Sequence, residues 1–172
     1  MADRPKSGEY RSGHDPRTLR DALSCFATGV TIITTVTSTG QPVGVTASSF
    51  NSVSLDPPLV VFSLDRRAYS LSQFQESRVF AINVLREEQK DLSAAFARAG
   101  APKWEGVKFE VWDTGSPILD DTLASFDCRL HATHDGGDHV VFLGNVLKMR
   151  AHPEGKPLLF FRGKYMKIGD IH

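Results

Sequence analysis

Residues 30–50, VTIITTVTSTGQPVGVTASSF, decide the fold because they carry the clearest strand pattern in the chain. β-Branched residues dominate both halves, and the turn-forming sequence STGQP separates them. This arrangement predicts a β-hairpin with strands at 30–37 and 42–50. The second strand ends in GVTASSF, residues 44–50, whose small hydroxyl-bearing side chains fill a core poorly. Such residues are typical of the solvated face of a sheet and also of a ligand site.

The elements on either side follow from apolar spacing and turn residues. Asp15 as a cap, Pro16 in the first turn and Gly29 as the stop predict a helix of about three turns over 16–28. Its apolar stripe consists of Leu19, Ala22, Leu23 and Phe26. Further strands are predicted at 59–64, 79–85, 122–134 and 138–151, with a last strand and turn in KPLLFFRGKYMKI and short helices in AYSLSQFQESR and REEQKDLSAAFARAG.

Hairpins and short helices connect these strands, without regular βαβ alternation. The segment 101–119 is predicted to be mostly loop. This order predicts a mainly β protein with flanking helices, whose antiparallel sheet closes into a barrel and leaves no exposed edge. Residues 1–14 are predicted to form a flexible arm before one domain over 15–172.

Composition limits the classes of function. The chain has 172 residues, with 20 basic and 20 acidic side chains, and this balance argues against a broad basic face for nucleic acid. Its apolar runs are far shorter than the roughly 20 residues that a membrane span needs. The first residues lack a secretory signal, so the cytoplasm is the expected compartment. Cys25 and Cys128 both lie in apolar contexts and are predicted to be buried, reduced thiols.

Three features near residues 44–50 favour a small anionic or carbonyl-rich ligand. Hydroxyls and closely spaced backbone N–H groups suit such a ligand. Gly44 permits close approach of a ligand to the backbone, and Arg66 and Arg67 offer positive charge for a phosphate. No dinucleotide or P-loop fingerprint is present. A solvated arginine turn and ordinary strand packing are the alternatives.

Five segments in order resemble the short-chain flavin reductase family, the reductase partners of two-component flavin-dependent monooxygenases. They are FATGVTIITT, GVTASSFNSVSLDPPLVVFSL, FAINVL, GGDHVVFLGNV and PLLFFRGKY. The resemblance runs from about Leu19 to Tyr165. It implies a split β-barrel that binds FMN or FAD, uses NADH or NADPH, and usually forms a homodimer.

The resemblance also implies roles for particular residues. His139 in GGDH is expected to contact the nicotinamide or substrate, and a histidine can also donate a proton near neutral pH. The segment 43–50 is expected to wrap the flavin, while the final RGKY is expected to help hold the pyridine nucleotide. The cofactor-binding candidates are Val43, Gly44, Val45, Thr46, Ala47, Ser48, Ser49, Phe50, Ser52, Ser63, Leu64, Arg66, Arg67, Ala68, Asn83, Val84, Gly137, Asp138, Arg162, Lys164 and Tyr165.

For two of these candidates, a purely structural role explains the residue as well as a contact with the cofactor does. Asn83 suits a buried amide paired with backbone, and Tyr165 suits a core or dimer contact. The other histidines show no metal-ligand spacing, so no metal site is predicted.

The implied activity is hydride transfer from NAD(P)H to FMN or FAD, with reduced flavin supplied to a partner monooxygenase. The absence of a flavin-attachment or dinucleotide fingerprint suggests that the flavin is a substrate and not a permanently held group. The alternatives are an FMN-dependent oxidase of the pyridoxamine-phosphate type, a non-catalytic flavin-binding protein, and a β-barrel with an unrelated ligand.

Overall fold

The computed structural model describes residues 15–100 and 102–169 as a largely β structure with three short helices. The predicted arm at 1–14 lies outside the described residues. The helices are α1 Pro16–Leu23, α2 Leu71–Ser77 and α3 Lys90–Phe96, and a 3₁₀ turn at Glu87–Gln89 precedes α3. The strands are β1 Thr28–Gly29, β2 Thr31–Val36, β3 Pro42–Ala47, β4 Asn51–Leu55, β5 Pro58–Asp65, β6 Val79–Val84, β7 Phe109–Val111, β8 Pro117–Leu119, β9 Ala124–Gly136, β10 His139–Ala151, β11 Leu159–Phe161 and β12 Lys164–Met166.

Seven strands form the main sheet in the order β3-β2-β6-β9-β10-β5-β4, and every neighbouring pair is antiparallel. The sheet bends so that β3 approaches β5, although the two strands are not paired. Strand pairing therefore stops at the edge of β3, which leaves the barrel split along that edge. This confirms the mainly β split barrel that the resemblance implied, whereas the expectation of a closed barrel without an exposed edge is wrong, because β3 and β4 are the unpaired ends of the sheet within the described residues. A small sheet of β1, β11 and β12 and the pair β7–β8 lie beside it.

Both faces of β2 are buried, which explains its unbroken run of apolar and threonine residues. Ile33 packs inside the barrel with the aromatic core. Ile32, its neighbour, packs on the other side with Phe96 of α3 and Leu158. Because successive strand residues point to opposite faces, a strand with two apolar layers cannot show a polar–apolar alternation.

Helix α1 begins as predicted but ends early. The Asp15 carboxylate accepts a hydrogen bond from the Arg17 N–H at 3.2 Å, as expected of a cap. The helix ends at Leu23, after about two turns, so the predicted extent to residue 28 is wrong. Gly29 lies in β1, where it pairs with Leu159 of β11. This distant strand pairing overrides the local helix pattern.

The predicted apolar stripe of α1 is exposed in this chain. Leu23 and Phe26 are 66% and 75% exposed, and Leu19 is 45% exposed. Cys25 is also exposed, so the prediction of two buried thiols holds only for Cys128. No residue of α1 is buried in the described part of the chain, so the helix as a whole leaves its apolar side chains uncovered.

Several other element boundaries differ from the predicted ones by a few residues. The long hairpin turns at Gly137, whose φ of 75° suits glycine, so its strands end and begin at Gly136 and His139. The strand predicted over 42–50 ends at Ala47. The segment 101–119, predicted as mostly loop, contains β7 and β8. Across the described residues, no helix has the length and apolar content needed to cross a bilayer.

Candidate functional site

A groove runs along the free edge of β3, where the barrel is split. It contains a cavity of about 410 Å³ between β3, the turn after β5 and the segment that follows α3. Four predicted cofactor-binding residues, Val43, Gly44, Val45 and Ala68, line it. The volume lies within the range of small-molecule sites. The rest of the lining is Pro42, Tyr69, Ser70, Phe96, Ala97, Arg98, Ala99, Gly100, Lys103 and Trp104.

The crossover from β3 to β4, residues 48–50, offers unpaired backbone donors. In the described part of the chain, the N–H groups of Ser48, Ser49 and Phe50 make no backbone hydrogen bond. The Ser49 hydroxyl accepts from the Ser63 N–H at 3.0 Å and donates to the Ser63 carbonyl at 3.1 Å. The structure thus brings two predicted residues together, and β5 fixes the crossover in place. The Phe50 ring packs inward, 5.7 Å from Phe126.

The turn after β5 lies against the GGDH turn. The Arg66 N–H donates to the Asp138 carbonyl at 2.9 Å, and the Arg66 Nε donates to the Gly137 carbonyl at 2.8 Å. His139 lies opposite Asp65 in the strand register, and its Nδ1 is 2.7 Å from an Asp138 carboxylate oxygen. The two turns that the resemblance assigned to flavin and to nicotinamide are therefore adjacent.

Each arginine of this turn is paired with a carboxylate. Arg66 lies 2.8 Å from Asp135, and Arg67 lies 2.8 Å from Asp65. Hydrogen bonds from the Arg67 side chain and N–H lower the pKa of Asp65, and those from Arg66 and Gly137 lower the pKa of Asp135. The positive charge expected here for a phosphate is thus largely compensated within the protein.

Two other cations line the cavity, and the sequence reasoning missed both. Arg98 and Lys103 follow α3, on the wall opposite β3. The Lys103 ammonium donates to the Phe96 carbonyl at 3.1 Å and lies 5.9 Å from the centre of the Phe96 ring. Burial lowers the pKa of Lys103. No periodicity marks these residues, and only the return of the chain past β3 places them at the groove.

Gly44 serves a purpose that differs from the predicted one. A Cβ atom at this position would lie 2.5 Å from the Phe96 ring and 3.2 Å from Trp104. On the face where a Cβ atom would lie, Phe96 fills the space next to Gly44, so the expected approach of a ligand to this backbone stays a prediction for the cavity side. The glycine lets α3 pack directly against β3, and this packing forms the groove wall.

Some predicted contacts lie in the interior. Asn83 is fully buried, its amide donates to the Ile32 carbonyl at 3.1 Å, and its oxygen accepts from the Leu119 N–H at 2.9 Å. Of the two alternatives for Asn83, this geometry supports the buried amide. Leu64 is also buried in the core. Val84 is separated from β3 by β2, and Ser52 lies exposed on β4 away from the cavity lining.

The C-terminal hairpin divides the last three predicted residues. The Tyr165 hydroxyl is 2.8 Å from the Ser93 hydroxyl of α3, and the Ser93 carbonyl accepts from Thr46 of β3. Tyr165 is therefore joined to the groove through α3. Arg162 instead lies at the end of α1, where its N–H donates to the Ser24 carbonyl at 2.9 Å, and Lys164 is exposed.

Known proteins share both the sequence and the fold of this chain. The family model described as "Flavin reductase like domain" matches residues 23–169. The reductase subunit HsaB of a flavin-dependent monooxygenase from Rhodococcus jostii is 44% identical over 154 residues, which cover 90% of this chain and 78% of that protein. The FMN reductase (NADH) SmoA of Agrobacterium fabrum is 44% identical over 153 residues, 89% of this chain and 86% of that protein.

A solved structure agrees with these relatives. The NADH:FAD oxidoreductase SgcE6 of Streptomyces globisporus, in complex with NAD and FAD fragments, superposes with a TM-score of 0.88 at 31% identity. The match covers 94% of this chain and 97% of that one. The family model, the two relatives and the fold agree over nearly the whole length described. This chain is therefore a member of the flavin reductase-like domain family.

Proposed function

We propose that this flavin reductase transfers a hydride from NADH or NADPH to FMN or FAD and supplies the reduced flavin to a partner monooxygenase. The named relatives support each part. SmoA is named for FMN and NADH, SgcE6 for FAD and NADH, and HsaB as a monooxygenase subunit. Because these names differ in the flavin, both flavins belong in the proposal.

The observation that carries the proposal is the groove at the open edge of β3. Beyond the end of β3, the N–H groups of residues 48–50 make no backbone hydrogen bond among the described residues, and such donors match the carbonyl acceptors of an isoalloxazine ring. Within the cavity lining, Trp104 offers an aromatic surface, and Arg98 and Lys103 offer positive charge for the phosphate end of the ligand. These features support a flavin as the ligand.

When bound, the flavin accepts the hydride and supplies the redox chemistry of the reaction. The chain binds and orients it. The crossover N–H groups hold the polar edge of the ring, and the Ser49–Ser63 pair keeps that crossover fixed on β5. Asp138 occupies Nδ1 of His139, so Nε2 is the ring nitrogen left to contact the nucleotide. Fixed donors of this kind contribute because they need no reorganisation during the reaction.

The decisive experiment is steady-state oxidation of NADH and of NADPH with free FMN and with free FAD. We expect turnover with at least one pair. His139→Ala is expected to raise the KM for the nucleotide while the flavin dissociation constant changes little. His131→Ala provides the matched control, because His131 is exposed on the other strand of the same hairpin.

Three outcomes would contradict the proposal. Tight flavin binding without nucleotide turnover would indicate a non-catalytic flavin-binding protein. Oxygen-dependent oxidation of a phosphorylated amine, with no NAD(P)H turnover, would indicate the oxidase. Equal effects of His139→Ala and His131→Ala would remove the role assigned to His139.

Whether the flavin is a substrate or a held group is a separate part of the proposal. The cavity lies at the open edge of the barrel, which suits a ligand that enters and leaves. We expect extensive dialysis of the purified protein to remove the flavin. Flavin that remains in a one-to-one ratio after dialysis would contradict this part alone.

A homodimer completes the proposal. The exposed apolar side chains of Leu19, Leu23 and Phe26 are supporting evidence, because large exposed apolar groups that lie together are typical of interfaces. Light scattering of the eluted protein is expected to give twice the 18.9 kDa chain mass. A monomer at micromolar concentration would contradict this assignment.

A further inference from the structure

Helix α3 contacts two parts of the molecule that are proposed to bind different ligands. On one side, the Thr46 hydroxyl of β3 donates to the Ser93 carbonyl at 2.7 Å. On the other side, the Ser93 hydroxyl lies 2.8 Å from the Tyr165 hydroxyl of β12. A single residue of α3 thus joins the strand that lines the flavin groove to the hairpin proposed to hold the nucleotide.

Both links are partly shielded from solvent. Ser93 is fully buried, whereas Thr46 and Tyr165 are half-buried, so burial of Ser93 limits the competition of water for the two hydrogen bonds. The Tyr165 ring has further contacts, since it packs 5.5 Å from the Phe160 ring and lies 5.9 Å from the Lys90 ammonium. Removal of the hydroxyl bond would leave these ring contacts in place. The polar link can therefore be tested without unpacking the hairpin.

The same helix forms one wall of the groove. Phe96, one helical turn after Ser93, closes over Gly44 of β3, and the chain continues along the cavity to Gly100. The helix is thus attached to β3 at two places, through Thr46 and through Gly44. A displacement of the C-terminal hairpin that moves Ser93 would also move this wall.

We propose that Ser93 is a positioning residue that couples nucleotide binding at the C-terminal hairpin to flavin binding in the groove. The inference rests on the proposed function of these two sites. A nucleotide that contacts the hairpin favours the arrangement in which Tyr165 is bonded to Ser93, and α3 then holds the groove wall in the position that it has in this structure. By linkage, the flavin tightens nucleotide binding by the same factor.

The test measures flavin dissociation constants with and without saturating NAD⁺, which binds as the nucleotide but cannot reduce the flavin. We expect NAD⁺ to tighten flavin binding by about 2- to 10-fold in the wild-type protein, the range of one net hydrogen bond. In Ser93→Ala, in Tyr165→Phe and in the double variant, the factor should fall to about 1. Ser77→Ala is the control, because Ser77 makes a comparable hydroxyl pair with Thr35 at 2.6 Å, away from α3.

The outcomes separate this inference from the proposed function. A coupling factor that is unchanged in Ser93→Ala, or absent from a wild-type protein that binds both ligands, overturns the inference. A lower Tm with an intact coupling factor would show that Ser93 is only structural, and also overturns it. A wild-type protein that binds no flavin and oxidises no NAD(P)H contradicts the proposed function itself.

Discussion

The barrel interior and the groove along β3 are built in opposite ways. In the interior, aromatic rings cover one another: Phe62 stacks on Phe142 and meets Phe80 edge-on, with centres 4.9 Å apart in both pairs. Along β3, by contrast, a cavity of about 410 Å³ stays open, and within the described residues the crossover at 48–50 that follows this strand leaves its N–H groups without backbone partners. The interior is complete by itself, whereas under the proposed function the groove is completed by a ligand.

From this difference we expect stability and binding to depend largely on separate residues in this fold. Interior side chains contribute through burial, which a ligand does not change. In the groove wall, Phe96 is also buried and packs directly on Gly44, so the separation concerns the donors and cations, which under the proposed function act when a ligand binds. Variants of these donors and cations should therefore change different measured quantities from variants of the interior.

The largest effect is expected for Phe62→Ala. Phe62 is fully buried and contacts three other phenylalanine rings, so its removal leaves a large cavity. We expect a loss of about 3–5 kcal/mol in the free energy of unfolding, measured by urea denaturation. Phe62→Leu should cost less because it keeps most of the volume. A loss below about 1 kcal/mol in the free energy of unfolding would contradict this prediction. Weaker flavin binding by the molecules that remain folded would show that Phe62 also affects the groove.

The next largest effect on the free energy of unfolding is expected for Asn83→Ala. The substitution leaves the buried Leu119 N–H without its acceptor and removes the bond to the Ile32 carbonyl. We expect a loss of about 1–3 kcal/mol in the free energy of unfolding, with the flavin dissociation constant unchanged. Asn51→Ala, on the exposed strand β4, is the control and should change neither quantity. If Asn83→Ala weakens flavin binding in the folded protein, Asn83 acts in the site after all.

Lys103→Met tests the groove, and here the larger effect is expected on flavin binding and the smaller one on stability. Loss of the ammonium at the cavity should weaken FMN binding about tenfold, while loss of its hydrogen bond to the Phe96 carbonyl should lower the free energy of unfolding by only about 0.5–1.5 kcal/mol. Riboflavin, which lacks the phosphate, should bind both proteins alike. Lys108→Met is the control, because Lys108 is exposed and does not line the cavity. Equal losses for FMN and riboflavin would show that Lys103 does not meet the phosphate.

The contrast between the regions also explains what the sequence could predict. Strands such as Pro58–Asp65 and Val79–Val84 were predicted closely because their apolar runs and turn residues are local signals. The segment 44–50 was singled out as a candidate ligand site because its small hydroxyl residues interrupt such a run, although residues 48–50 were predicted to continue the strand and instead form the crossover. Local pattern was enough for these features.

Features that depend on distant partners were not predictable in this way. The end of α1 depends on the pairing of Gly29 with Leu159, near the other end of the chain. The need for glycine at position 44 depends on Phe96, and the pairing of Arg66 with a carboxylate depends on Asp135. No spacing rule connects such residues, so the groove wall and its charge balance required the fold.

The smallest effect is expected at the rim of the groove, where Asp135 pairs with Arg66. Both side chains are largely exposed, so the pair contributes little and Asp135→Asn should lower the Tm only slightly at neutral pH. Hydrogen bonds from Arg66 and Gly137 lower the pKa of Asp135 below its ordinary value of 3.8. As the pH falls, the unfolded chain therefore takes up this proton first.

The contribution of this carboxylate is consequently complete above about pH 4 and is lost as the pH falls through the lower pKa of the folded state. The Tm difference between the wild-type protein and Asp135→Asn should be constant from pH 7 to pH 5 and shrink below pH 4. Asp120→Asn, at an exposed position outside the two turns, is the control. A difference that stays constant down to pH 2 would mean that the carboxylate charge does not hold the Arg66 turn against the His139 turn. The alignment of the groove rim would then depend on backbone hydrogen bonds alone, such as the one from the Arg66 N–H to the Asp138 carbonyl.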